Sequence, residues 1–114
     1  MESADFRRHA HELVDWMADY LDRVEGFPVK AQVRPGEIAA QLPQAPPQAS
    51  EPMEDILADF RSVVVPGMTH WQHPSFFAYF QANSSRPSVL AEMLTATLAP
   101  QCMDDHSGDG AVYR

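Results

Sequence analysis

The chain has 114 residues, 45% hydrophobic and 21% charged, with a formal net charge of -8. That is enough for one modest domain and too apolar for wholesale disorder, and the acidic balance argues against nucleic-acid phosphate or an anionic membrane surface as partner. Cys102 is the one cysteine, which excludes an internal disulfide and suits a reducing compartment.

From Ala4 to Glu25 the apolar residues Phe6, Ala10, Leu13, Val14, Met17, Tyr20, Leu21 and Val24 recur at steps of three and four. This spacing predicts an amphipathic helix roughly 30 Å long. Trp16 falls at the edge of its apolar face, Ser3 or Asp5 can cap its start, and Gly26 followed by Pro28 supplies a stop. Residues 27–50 form a Pro-, Gln- and Ala-rich connector, in which Pro35 to Pro43 brackets a short helical turn. A second helix is predicted from Ser50 or Glu51 to Val65, with Ile56, Leu57, Phe60, Val63 and Val64 inward and Pro66-Gly67 as its end. A third begins near Ser85 with Pro87 in its first turn, carries Val89, Leu90, Met93, Leu94 and Leu98 on one face, and stops at Pro100. Residues 101–114 have neither a helical nor a strand period and read as a loose end.

No charged-then-apolar leader precedes the first helix, and the longest aliphatic run, Val63 to Val65, is too short to span a bilayer. A soluble cytoplasmic protein is the expectation. Three helices with one broad apolar face each, joined by long connectors, do not enclose a convincing core. Self-association, such as a homodimer through the helix faces, is therefore expected.

Between the second and third helices, MTHWQHPSFFAYF (residues 68–80) concentrates two histidines and five aromatics, with Pro74 forbidding an ordinary helix. Three readings compete: core, metal site, or pocket wall. His70 and His73 with Cys102 and His106 make a metal site on paper, but zinc ligands come from tighter, paired spacings. Surface or pocket histidines are the simpler reading, and no metal is expected. No glycine-flanked serine, phosphate-cradling loop or calcium-loop spacing is present. Core is the commoner fate of clustered aromatics. Trp and Tyr, with apolar bodies and polar tips, also suit a partly open wall.

Residues 69–94, THWQHPSFFAYFQANSSRPSVLAEML, closely resemble a segment of the group II pyridoxal-phosphate-dependent decarboxylases, the aromatic-L-amino-acid decarboxylase family, which reads much like THW-x-HP-x-FFAYFP-x-x-SS-x-P-x-x-LA-x-ML. FRRHAHELVDWMADYL, VEGFPV, PGEI and VVPGMTHW extend the likeness, in order, over about residues 5–103.

The resemblance implies an all-α N-terminal arm: three amphipathic helices with Pro-rich connectors that lie across the partner of an obligate dimer. The large α/β domain of these aspartate-aminotransferase-like enzymes is missing. Residues 1–99 are the arm for dimerisation and pocket wall, and residues 100–114 an irregular tail. By the same resemblance Trp71, Tyr79 and Phe80, followed by Gln81 and Ala82, line a pocket for an aromatic amino acid. Gln81 departs from the family's usual proline, which bears on the local backbone and the substrate preference.

Pyridoxal phosphate is the cofactor of full-length members, bound through a lysine Schiff base far downstream in the family. Lys30, the one lysine here, lies in the connector between Pro28 and Pro35. The chain alone is thus expected to bind no cofactor and to be inactive as a carboxy-lyase. A free-standing helical dimerisation or binding module is the alternative, as is an active enzyme assembled with a separately encoded remainder. After Met103 the family continues close to x-WQTSPAATELE, replaced here by DDHSGDGAVYR. One codon choice for residues 106–112, shifted by one nucleotide, reads T-P-A-T-E-L, so a frameshift or truncation after Met103 is expected.

Overall fold

The computed structural model describes residues 1–80 and 84–99, and the chain divides into two units, Met1–Phe80 and Gln81–Arg114. Among the described residues there are three α-helices, short 3-10 and π turns and no strand, in line with the all-α expectation. No described helix is long and apolar enough to cross a membrane. Gln81, Ala82, Pro100 and the tail from residue 101, with Cys102 and His106, lie outside the described residues.

In the first unit, α1 spans Ser3–Arg23 and is followed by a 3-10 turn, Val24–Gly26. No proline or glycine interrupts it, and Asp5 in the first turn and Arg23 in the last complement its dipole. Its start differs from expectation: Glu2 is the N-cap, in extended conformation, and no side chain caps the helix. At the other end Pro28 disfavours helical backbone for Phe27, which is extended and donates its N–H to the Val24 carbonyl.

The covered face of α1 keeps most of the predicted positions, with Ala10, Leu13, Met17, Tyr20, Leu21 and Val24 half-buried. His9 is buried, and Leu13, Trp16 and Tyr20 are half-buried at steps of four, three and four, whereas Phe6 and Val14 are exposed. Trp16, placed at an edge by periodicity, stacks on Tyr20 at 5.5 Å and meets Phe60 edge-on at 5.1 Å. These aromatic contacts widen the predicted stripe to include Trp16, because large rings bury the most area per residue.

The connector runs mostly exposed from residue 27 to 50. As predicted, the Pro-bracketed segment turns: residues 35–38 lead into a 3-10 turn, Ala39–Gln41. Gly36 supplies the positive φ of 83° that this turn needs. Ile38 then packs over Gly67, where a Cβ would lie 2.7 Å from Ile38 Cγ1.

The second helix starts later than predicted and does not stay regular. α2 spans Met53–Asp59, because Pro52 holds Glu51 out of helical conformation and itself serves as N-cap. A π turn, Phe60–Val64, and a 3-10 turn, Val65–Gly67, follow. The π turn adds one residue to the helical repeat, so the inward positions after Leu57 shift by one. Leu57 and Val65, 5% and 8% exposed, are the buried apolar side chains among the described residues, while Ile56 and Val64 are exposed rather than inward. Ser62 Oγ donates to the Ala58 carbonyl at 2.9 Å within the distorted stretch. Arg8 to Glu54 at 2.7 Å and Arg61 to Glu12 at 3.2 Å tie α1 to this segment.

In the second unit, α3 spans Arg86–Leu98. Ser85 and Ser88 cap it reciprocally: Ser88 N–H donates to Ser85 Oγ and Ser85 N–H to Ser88 Oγ. Pro87 occupies the first turn as predicted, and Ala99 ends the helix in left-handed conformation. Leu90, Met93, Leu94 and Leu98 of the predicted apolar face are all exposed.

Candidate functional site

Residues 68–80 are irregular, as Pro74 requires, and are held from below by a histidine. His70 is 3% exposed; its backbone N–H donates to the Val29 carbonyl at 2.9 Å, and its Nδ1 is hydrogen-bonded to the Tyr20 hydroxyl at 2.9 Å. Phe27 packs against its ring at 4.6 Å and Tyr20 at 5.7 Å. Burial lowers the basicity of His70 and raises the pKa of the Tyr20 phenol. His70 is therefore core, not the surface or pocket histidine expected from its spacing.

The rest of the stretch opens outward. Trp71 is partly exposed, Phe77 and Tyr79 are 91% and 83% exposed, and Phe80 is fully exposed. Trp71 gathers two of these rings, Phe76 tilted at 4.8 Å and Tyr79 stacked at 5.8 Å and 23°. Tyr79 has φ of 61°, the left-handed region that a bulky residue enters only when held there. The predicted residues Trp71 and Tyr79 are thus in contact and Phe80 stands next to them in the chain. Two of the three competing readings apply to different parts of the stretch: His70 belongs to the core, and the pair of Trp71 and Tyr79 is an open platform, with Phe77 and Phe80 exposed beside it in the chain. Among the described residues no three His, Cys, Asp or Glu side chains are grouped to hold a metal ion.

Such a platform offers a planar apolar surface edged by an indole N–H and a phenol, which suits a flat ring with a polar substituent. Spacing alone did not find His73 or Phe76. Ser75 N–H donates to His73 Nδ1 at 2.9 Å, and Phe76 N–H donates to the His73 carbonyl at 2.9 Å. The cue lies in His73-Pro74-Ser75, where a ring acceptor stands two residues ahead of a free N–H beyond a proline.

A Schiff-base lysine needs a desolvated amine, and Lys30 is exposed in the connector. The platform itself carries no cation to meet a phosphate.

The pyridoxal-dependent decarboxylase conserved domain matches residues 35–107. A phenylacetaldehyde synthase of Petunia hybrida is 48% identical over 98 residues, 86% of this chain and 19% of its own. An aromatic-L-amino-acid decarboxylase of Rattus norvegicus is 48% identical over 98 residues, 86% of this chain and 20% of its own. Among solved structures, Oryza sativa TDC with PLP and tryptamine matches with a TM-score of 0.88 at 32% identity, covering 97% of this chain and 23% of that one. Catharanthus roseus tryptophan decarboxylase in complex with L-tryptophan matches at 0.79 and 40%, covering 88% and 22%. The chain spans about a fifth of the length of the curated relatives it matches.

Proposed function

The chain belongs to the pyridoxal-dependent decarboxylase family, and from that premise we propose that it serves as the N-terminal arm of an aromatic-amino-acid decarboxylase. Residues 1–99 are the arm. Trp71, Tyr79 and Phe80 form one wall of the pocket for an aromatic amino acid, and the same role expected of Gln81 and Ala82 falls outside the described residues. The outward faces of the helices pack on a second copy, giving a homodimer that works in the cytoplasm. The observation that carries this reading is the stack of Tyr79 on Trp71 with Phe77 and Phe80 open beside it. The arm recognises and encloses substrate; the cofactor and the lysine that holds it belong to a part of the enzyme outside these 114 residues, so the chain alone is inactive.

Mixing the purified chain with a separately produced remainder of such a decarboxylase provides the test. The remainder plus the chain is expected to release carbon dioxide from carboxyl-labelled aromatic amino acids, and the chain alone to release none and to show no cofactor absorbance. Carbon dioxide from the chain alone, or a remainder whose activity ignores the chain, overturns the proposal. A free-standing dimerisation module is the second reading, favoured by the exposed Phe6 and Val14 on α1. It predicts self-association of the chain together with no effect on the remainder.

A further inference from the structure

The Ser75 backbone N–H can only donate, and its 2.9 Å contact is with His73 Nδ1. That nitrogen is therefore the acceptor and carries no proton. The neutral ring then holds its proton on Nε2, which lies 3.3 Å from the Glu25 carbonyl oxygen, an atom that can only accept. One imidazole thus joins two backbone segments 48 residues apart, the turn that closes α1 and the turn that follows Pro74. With both ring nitrogens committed to backbone atoms, His73 has no lone pair left for a metal and no proton placed for transfer to a substrate.

The same turn delivers the aromatic platform. Phe76 N–H donates to the His73 carbonyl at 2.9 Å, which sets the Phe76 ring 4.8 Å from Trp71. Trp71 in turn carries Tyr79. Upstream, the loop is anchored by the bond from His70 N–H to the Val29 carbonyl. Beyond His70 the rings are largely exposed, so few other contacts fix their direction.

We propose that His73 is a positioning residue for the substrate wall: as a neutral, Nε2-protonated imidazole it staples residues 73–76 to the end of α1 and so sets the orientation of Trp71 and Tyr79. The proposal rests on the reading of those two rings as a pocket wall, and its test separates the two claims.

The test uses the full chain with Trp16→Phe, which leaves Trp71 as the sole indole, and adds His73→Asn and His73→Ala. Asparagine keeps an acceptor for the N–H two residues on, in an Asx-turn, but is too short to reach Glu25; alanine loses both bonds. Long-range proton–nitrogen NMR of the unsubstituted chain is expected to find His73 in the Nε2–H tautomer. Iodide quenching of Trp71, already 43% exposed, is expected to rise by up to about twofold in His73→Ala and by less in His73→Asn. The helical circular dichroism should be retained, because His73 lies outside all three helices. An Nδ1–H tautomer, or unchanged quenching in His73→Ala, overturns the proposal.

When the variants are combined with the decarboxylase remainder, KM for an aromatic amino acid should rise severalfold in His73→Ala while kcat changes less. If the quenching shifts and KM does not, positioning by His73 stands and the substrate-wall reading falls.

Discussion

The Tyr20 hydroxyl and His70 Nδ1 lie 2.9 Å apart, and this bond joins α1 to the base of the aromatic loop 50 residues downstream. Both rings sit among Trp16 and Phe27, so the polar pair is enclosed by apolar faces. Burial lowers the folded-state pKa of His70 below its ordinary value of about 6.5. Between those two values the unfolded chain binds more protons than the folded one. His70 therefore destabilises the fold progressively as pH drops from the unfolded pKa toward the folded one, and is without effect at neutral pH. Acidification from about pH 7.5 to about pH 5 should loosen the Trp16–Tyr20–Phe27 cluster, as read by aromatic circular dichroism. His70→Gln should flatten that response; a response of undiminished size in His70→Gln counts against the assignment.

The spacing of Leu57 and Val65 makes a second prediction. The two are eight residues apart, one more than an α-helical seven, because the Phe60–Val64 turn is π-helical. Leu57→Ala should cost about 2 kcal/mol and Val65→Ala about 1.5 kcal/mol, at the low end for core truncations because the cluster is small. Ile56→Ala and Val64→Ala should stay within about 0.5 kcal/mol. Urea unfolding of the four variants checks the ranking, and a larger loss at Val64 than at Val65 would restore a straight helix.

Those two cases show how far the sequence could be read. Helix identities were legible because proline and glycine punctuate them: α3 begins at Ser85 and Pro87 as its pattern predicts, and the Pro35 segment turns. The edges of the covered face of α1 were not, because periodicity ranks Phe6 and Val14 by hydrophobicity and cannot see that Trp16 and His9 have partners in residues 54–60. Nor does a run of three valines announce a π turn. At the site, Trp71 and Tyr79 were found through their aromatic character and family likeness. His73 was legible only as a paper metal ligand or a surface or pocket histidine, because its bonds run to backbone atoms that have no letter in the sequence.

The exposed stripe of α1 bears on assembly. Phe6 and Val14 lie eight residues apart, about two helical turns, and face solvent. If a second copy covers this stripe, Phe6→Glu with Val14→Glu should weaken self-association at least tenfold in sedimentation while leaving monomer helicity unchanged, since both side chains are exposed. An unchanged association constant would move the dimer contact elsewhere on the chain.

Tyr79 is held in a conformation that its own backbone disfavours. A φ of 61° costs a bulky residue about 1–2 kcal/mol, comparable with the roughly 0.5–1.5 kcal/mol that an aromatic pair adds beyond its buried area. The stack on Trp71, at 5.8 Å, is the ring contact available to offset that strain. Trp71→Ala should therefore release Tyr79 to negative φ, visible as a changed HN–Hα coupling and Cα shift at Tyr79. Tyr79→Phe should preserve both the stack and the backbone, because the phenol oxygen takes no part in the contact. Tyr79→Gly should relax the backbone and yet leave Trp71 more open to quenching. A Tyr79 that keeps its left-handed backbone in Trp71→Ala would locate the restraint in the chain on either side, and the platform would then be a property of the loop and not of the paired rings.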